Sequence, residues 1–302
     1  MTTQNQTDSF GYLSERLNFS FEGGLIRTRE DFVKVRKWAN SQTNSDGYLY
    51  PSISYTATKD IKSNKWKRIP KTNRPAKFFH MPPSHYIDLL NPSDQKTNRY
   101  GLSGFAVQSL AFLYGTKLQF WDWFIEGRIP TKDRTINIAI IPYDVEMFFQ
   151  RAVPTWQSLN ELNKKRMVNL LFVHSMAGAV EWDWQRLQLE YMVTDACYII
   201  AHDIGKCKTR RHADRLQALC DSFGLARDDH WFGLIVRLRN ELFHETLWGG
   251  GRPFSYQGSE SFFAPLHLRR FNHRLVTALL CGPGRYTRMK WTSIGTYGFS
   301  VD

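Results

Sequence analysis

The sequence predicts an α+β N-terminal region over residues 1–150, rich in strands, followed by an all-α helical bundle over residues 151–302 with a C-terminal tail. Two observations carry this. Before about residue 140 the apolar residues alternate in short, aromatic-rich runs, the pattern of half-buried strands. From about residue 142 they recur every three or four residues almost throughout, the pattern of helices packed on one face. At 302 residues the chain is long enough for each region to bury its own core.

In the first region LNFSFEGG, YLYPSISYTA and TINIAIIPYDV have the alternation of strands, and REDFVKVRKWAN and LSGFAVQSLAFLYG read as helices. In the second, the long periodic stretch that starts at Asp144 is expected to break at Pro154, where the backbone loses a donor, and again near Gly178. HADRLQALCDSFGL is a short helix with Gly224 as a left-handed cap. The helix after it opens with Asp228 or Asp229 in capping position. Gly249, Gly250 and Gly251 end helical tendency, and FFAPLHLRRFNHRLVTALLC forms a last long helix. Short connections make this an up-and-down bundle. No repeat and no low-complexity tract interrupts the chain.

Hydrophobic residues make up 42% and aromatic residues 15%, a composition that folds. No apolar run approaches the roughly 20 residues of a membrane helix, so no membrane is expected as a partner. The opening residues MTTQNQTDSF lack the basic and apolar segments of a secretory signal, which leads to the expectation of a cytoplasmic protein. Cys197, Cys207, Cys220 and Cys281 form no C-x-x-C pair and are expected as reduced core thiols, with zinc ligation or disulfides the alternative. A formal charge of +12 attracts polyanions, and nucleic acid is the leading candidate partner over a merely solvated basic surface.

The stretch RLRNELFHE, residues 237–245, places an arginine, an asparagine and a histidine in an apolar helix. On a wheel of about 100° per residue, Trp231, Leu234, Ile235, Leu238 and Leu242 form one stripe, and Phe232, Val236 and Phe243 a second beside it. An arc this wide calls for two neighbours. Arg239 falls between the stripes, whereas Asn240, His244 and Arg237 share the remaining face. Five residues of α-helix turn about 140°, so Arg239 and His244 meet only through the length of the arginine and a loosening of the helix near His244. The alternative is an arginine paired with a core carboxylate, Glu190 or Asp195, and a histidine capping its own helix end.

Arg239-Asn240-Glu241-Leu242-Phe243-His244 resembles the R-x4-6-H motif of HEPN domains, with the polar residue that often follows the arginine. The likeness covers roughly residues 160–282, where three helical segments precede the motif and one follows. A strand-rich region ahead of a C-terminal HEPN-like helical bundle is similar to the arrangement in ApeA-like antiphage proteins. The resemblance implies a metal-independent endoribonuclease, a defence or toxin effector, with Arg239, Asn240 and His244 as the catalytic set. It implies no cofactor. Cleavage by 2'-hydroxyl attack would leave a 2',3'-cyclic phosphate and a 5'-hydroxyl. It also implies a composite site in a homodimer, and leaves open an antitoxin partner or a phage-derived trigger. Histidine moves protons near neutral pH, and arginine holds a phosphate through two hydrogen bonds.

Further cations are candidates for RNA contact. The stretch from Lys59 to His80 interleaves Lys65, Lys67, Arg68, Lys71 and Arg74 with Trp66, suited to phosphate contact and base stacking; a solvated loop is the alternative. Arg237 lies beside the motif, and Arg270 and Arg274 in HLRRFNHR suggest a second basic surface. His80 and His85 in HMPPSH have no acidic or cysteine partner nearby and are not expected to hold a metal. Three functions fit these residues: a HEPN ribonuclease, a non-catalytic HEPN module that binds RNA or nucleotide or only dimerises, and a basic RNA-binding protein with a structural Arg/His pair.

Overall fold

The computed structural model describes residues 7–52, 56–60, 62–69, 75–90, 101–131, 136, 138–208, 211–249, 252–253, 260–293 and 295–302, with only the backbone at 56–59, 66, 68–69 and 252–253. Its first region runs β1 (Thr7–Gly11), β2 (Phe19–Phe21), β3 (Gly24–Thr28), α1 (Phe32–Ser41), β4 (Tyr48–Leu49), β5 (Thr56–Lys59), β6 (Trp66–Ile69), β7 (Phe78–His80), β8 (His85–Leu89) and α2 (Leu102–Tyr114). Four short strands follow: β9 (Gln119–Phe120), β10 (Phe124–Glu126), β11 (Ile129–Pro130) and β12 (Ile138–Ala139). The second region runs α3 (Pro142–Ser158), α4 (Glu161–Ala177), α5 (Asp183–Asp203), α6 (Arg215–Phe223), α7 (Asp229–Asn240), β13 (Trp248–Gly249), β14 (Arg252–Pro253), α8 (Glu260–Cys281), α9 (Arg285–Arg288) and β15 (Tyr297–Gly298).

The expected layout, a small sheet early and helices after it, is present. An antiparallel sheet has the order β2-β3-β8-β1-β9. Its β2–β3 hairpin follows from LNFSFEGG: Phe19 and Phe21 point inward, Ser20 outward, and Gly23 takes the turn at φ +87°. TINIAIIPYDV, expected as a strand, contributes among the described residues the two of β12. Pro142 then opens α3 at the first helical position, where its missing N–H is no loss. Pro154 lies inside α3 and does not end it; the chain leaves that helix at Leu159.

The division at 150/151 is not where the packing divides. Residue 150 is in the middle of α3, and one apolar cluster runs from the sheet into the helices. Phe149 of α3 packs against Phe19 and Phe21 of β2, with ring centroids 5.1 and 5.3 Å away. Helix α2 carries no charged residue and is buried from Leu102 to Leu113. Its Phe105 stacks on Trp156 at 4.9 Å, and its Phe112 stacks on His273 of α8 at 4.2 Å. A helix of the first region is therefore core to the second. A smaller cluster around Leu49, Phe79 and Ile125 packs beneath the β4–β11 and β7–β10 pairs.

Helix α8 is the axis of the bundle, buried at every residue from His267 to Leu280. It carries Arg269, Arg270, Asn272 and Arg274 into the interior, and burial of such groups demands partners. Glu190 of α5 meets the demand of Arg269 and Asn272. Its Oε1 accepts from Arg269 Nη1 at 2.6 Å, its Oε2 lies 2.9 Å from His174 Nδ1 of α4, and Asn272 Nδ2 donates to it at 2.8 Å. Thr194 Oγ1 donates to Asn272 Oδ1 at 2.7 Å, and Arg269 also donates to the His174 carbonyl. Burial opposes ionisation of Glu190, but His174 and Arg269 outweigh it and hold the carboxyl below its ordinary range.

The four cysteines are free thiols, Cys281 half-buried and the others buried. No described helix is long and apolar enough to cross a membrane.

Replacing Glu190 by Gln leaves the Arg269 guanidinium buried without its counter-charge, and chemical denaturation is expected to show a loss of about 3–5 kcal/mol. A loss below about 1 kcal/mol, the scale of an exposed pair, would mean that the network does not hold the helices.

His85 generates a second expectation. It is fully buried between Phe10 and Phe32, with Ser84 Oγ 2.8 Å from its Nδ1. Burial lowers its pKa from 6.5 to about 4. Between these values the unfolded chain binds a proton that the folded chain refuses, so stability rises with pH across the window and is lost as pH falls through it. The difference amounts to about 3 kcal/mol. Denaturation of His85→Gln at several pH values is expected to show this part of the acid sensitivity removed.

Candidate active site

Helix α7 begins where Asp228 Oδ1 accepts from the Trp231 N–H at 3.3 Å, with Asp229 in the first turn, both favourable at a positive helix end. Phe232, Leu234, Ile235, Leu238 and Leu242 are all buried. The two neighbours called for by the wide apolar arc lie in the same chain. Phe232 packs on Phe271 of α8 and stacks on Trp291, at 5.5 and 5.6 Å, while α5 and α6 also pack against α7. The arc is thus covered within one chain, except for Phe243, which is 40% exposed.

At Glu241–Glu245 the helix widens into a π-helical turn. The Glu241 carbonyl accepts from the Thr246 and Leu247 N–H groups, and Thr246 ends the turn in the left-handed region at φ 58°. Single π-turns are rare and frequent at functional sites. Here the wider turn brings residues five apart into line, the loosening that the Arg239–His244 spacing requires. Arg239 Nη1 lies 2.9 Å from His244 Nε2 and 3.0 Å from Asn240 Oδ1. Arginine can only donate, so His244 Nε2 is the acceptor and the ring proton resides on Nδ1 in this arrangement.

The alternative of a structural arginine does not describe this geometry. Glu190 is committed to Arg269, and Asp195 accepts from Arg215 Nη1 at 2.8 Å. Among the described residues no carboxylate pairs with Arg239. Its guanidinium instead lies 5.4 Å from the Tyr191 ring centroid and 5.1 Å from that of Phe243, within cation–π range. Asn240 and His244 are exposed, and Arg239 is half-buried with no partner for its Nε among the described residues. A fixed cation and an imidazole share an open position.

A second histidine belongs to the same place. His212, on the short 3-10 turn His212–Asp214 ahead of α6, stacks on Tyr191 with centroids 6.3 Å apart, and its Nδ1 lies 3.9 Å from Asp195 Oδ1. Tyr191 also borders Phe243, at 6.5 Å. One α5 ring therefore forms a floor shared by His212, Phe243 and Arg239. Burial pushes the Tyr191 phenol up to about 12, so it stays neutral at ordinary pH. His212 is held below its usual value by burial and by the charges of Arg215, Arg239 and His244, against the opposing Asp195. The sequence signal for His212 was a histidine in the basic stretch RRHADR, but nothing local ties it to a motif 27 residues away.

The remaining candidates separate. Arg237 is exposed beside the site, with Nε 3.9 Å from Glu241 Oε1. Lys65 and Lys67 are exposed on the β5–β6 hairpin, and the backbones of Trp66 and Arg68 belong to β6, a paired strand where the alternative was a solvated loop. Lys71 and Arg74 lie outside the described residues. Arg270 and Arg274 form no basic surface: both are buried, Arg270 donating to the Ser293 carbonyl at 3.2 Å and Arg274 lying 4.8 Å from the Tyr286 ring. Polar residues at helical spacing produce the same pattern in a buried network as on an exposed face.

No protein-family model matches the chain, and comparison with curated proteins and with solved structures finds no match either.

The electrostatic coupling of the cluster is open to an NMR titration. Arg239→Gln removes a cation facing His212 and is expected to raise its midpoint; Asp195→Asn removes an anion and is expected to lower it. Midpoints that stay put in both variants would detach His212 from the cluster.

Proposed function

We propose that the protein is a metal-independent endoribonuclease of HEPN type, with Arg239, Asn240 and His244 at its active site. The observation that carries this is the 2.9 Å contact between the Arg239 guanidinium and His244 Nε2 in an open position, with no carboxylate among the described residues paired to the arginine. A fixed cation with no anion beside it among the described residues is suited to take one from outside, and the formal charge of +12 favours a polyanion.

The chemistry follows from the groups. A phosphodiester of RNA accepts hydrogen bonds from Arg239 through two non-bridging oxygens, and the guanidinium offsets the negative charge that builds on phosphorus. The 2'-oxygen attacks phosphorus as it gives up its proton, and the bond to the 5'-oxygen breaks as that oxygen gains one. Products are a 2',3'-cyclic phosphate and a 5'-hydroxyl. His244 exchanges a proton at Nε2, the atom that faces the phosphate position once Arg239 turns to its new partner. Asn240, already bonded to Arg239, holds the guanidinium in place or donates to a phosphate oxygen.

Purified protein incubated with total RNA is expected to cut it equally with and without EDTA. His244→Ala and Arg239→Ala are each expected to lose about 10²-fold or more in rate, with folding retained because neither side chain is in the core. Arg239→Ala should also weaken RNA binding more than His244→Ala, since it removes a permanent charge. Wild-type rates in His244→Ala would leave a binding module and no enzyme.

A further inference from the structure

We propose that His212 is a second acid–base residue of the site, taking the 2'-hydroxyl proton at Nε2 while His244 delivers a proton to the leaving 5'-oxygen. This rests on the ribonuclease function proposed above and extends it to a residue outside the R-x4-H motif. The placement is geometric. Tyr191 carries the His212 ring at 6.3 Å and the Arg239 guanidinium at 5.4 Å, and Arg239 in turn touches His244 at 2.9 Å. Tyr191 is thus the common neighbour that sets His212 close to the Arg239–His244 pair, near enough for both charges to bear on it. The His212 side chain is 43% exposed, so a substrate can reach it.

Its orientation suits a base. Nδ1 faces the Asp195 carboxylate at 3.9 Å, too long for a direct hydrogen bond but close enough for the charge to favour a proton on that nitrogen. The Nε2 lone pair is then free to accept. Contacts of this kind are commonly long before substrate binds and shorten in the complex. Asp195 is itself fixed by Arg215, and such a support holds a catalytic imidazole in position. The groups facing His212 are Tyr191 and Asp195 from α5, Arg215 at the start of α6, and Arg239 and His244 at the end of α7. Burial, with the charges of Arg215, Arg239 and His244, holds the imidazole below its usual value against the pull of Asp195, which favours the neutral form a base needs.

The proton count closes. His212 Nε2 receives the 2'-hydroxyl proton, the 2'-oxygen bonds to phosphorus, the bond from phosphorus to the 5'-oxygen breaks, and the proton on His244 passes to that oxygen. Arriving phosphate draws the Arg239 donor away from His244 Nε2, and its negative charge favours the protonated imidazole there. After turnover His212 carries one proton more and His244 one fewer, and exchange with water resets both.

The test compares wild-type protein, His212→Ala, His212→Asn and His244→Ala between about pH 5 and 9. Two substrates are used: an RNA oligonucleotide and a uridine 3'-nitrophenyl phosphate, whose leaving group departs without a proton. Wild type is expected to give a two-limbed profile for kcat/KM. Both His212 variants are expected to lose about 10²–10⁴-fold on both substrates, together with the acidic limb. His244→Ala is expected to fail on RNA and recover on the nitrophenyl ester. His212 variants at wild-type rate beside an inactive His244→Ala would overturn the proposal and leave the ribonuclease function standing. Recovery of the His212 variants on the ester, or a wild-type profile without an acidic limb, would overturn the base role. If the wild-type protein cleaves neither substrate, both the proposal and the ribonuclease function fall.

Discussion

Glu190 is ionised with none of its side chain exposed, and three helices are arranged around that charge. Arg269 and Asn272 reach it from α8 and His174 from α4, so the rotation of α5 about its own axis is set by four hydrogen bonds in the bundle interior. An ion pair of this kind contributes little net stability against an apolar equivalent, but its directional bonds tolerate no other register. The setting matters because Tyr191 is the next residue. Glu190, Thr194 and Cys197 form the inward stripe of α5, and Tyr191, Asp195 and Tyr198 form the adjacent one that faces α6 and α7. Rotating α5 to relieve the buried charge would carry the floor of the candidate site away with it.

Helices were legible in the sequence because their cause is local. The three- and four-residue recurrence of apolar side chains located α3 to α8, and Gly224 and Asp228 act as caps where their types suggested. Strands were legible in place where apolar residues alternate, as in LNFSFEGG for β2, but not in length, since TINIAIIPYDV located β12 and overstated it. That the apolar cluster continues across 150/151 was illegible for a different reason. Nothing in LSGFAVQSLAFLYG says that its second apolar face is owed to α8, about 160 residues later, rather than to the sheet beside it.

At the site, Arg239, Asn240 and His244 could be grouped because they are neighbours in sequence, and the need for a loosened helix end followed from counting degrees of turn. His212 could not. Its relation to Arg239 passes through the ring of Tyr191, and no spacing rule links three residues on three separate elements. Arg270 and Arg274 show the converse limit: two arginines one turn apart read as a surface until the partner that buries them is known, here a carbonyl of the C-terminal segment and an aromatic ring of α9.

The π-turn at Glu241–Glu245 links helical pitch to motif length. An α-helix brings residues four apart onto one line, so an arginine and a histidine with three residues between them would meet without distortion. Four residues separate Arg239 from His244, and the backbone meets that extra residue by widening one turn while Leu238 and Leu242 keep their buried stripe. The interval between the two polar residues is therefore not an arbitrary feature of the pattern. It is the pitch of a helix written as a number of letters, and a change of one letter is a change of turn type.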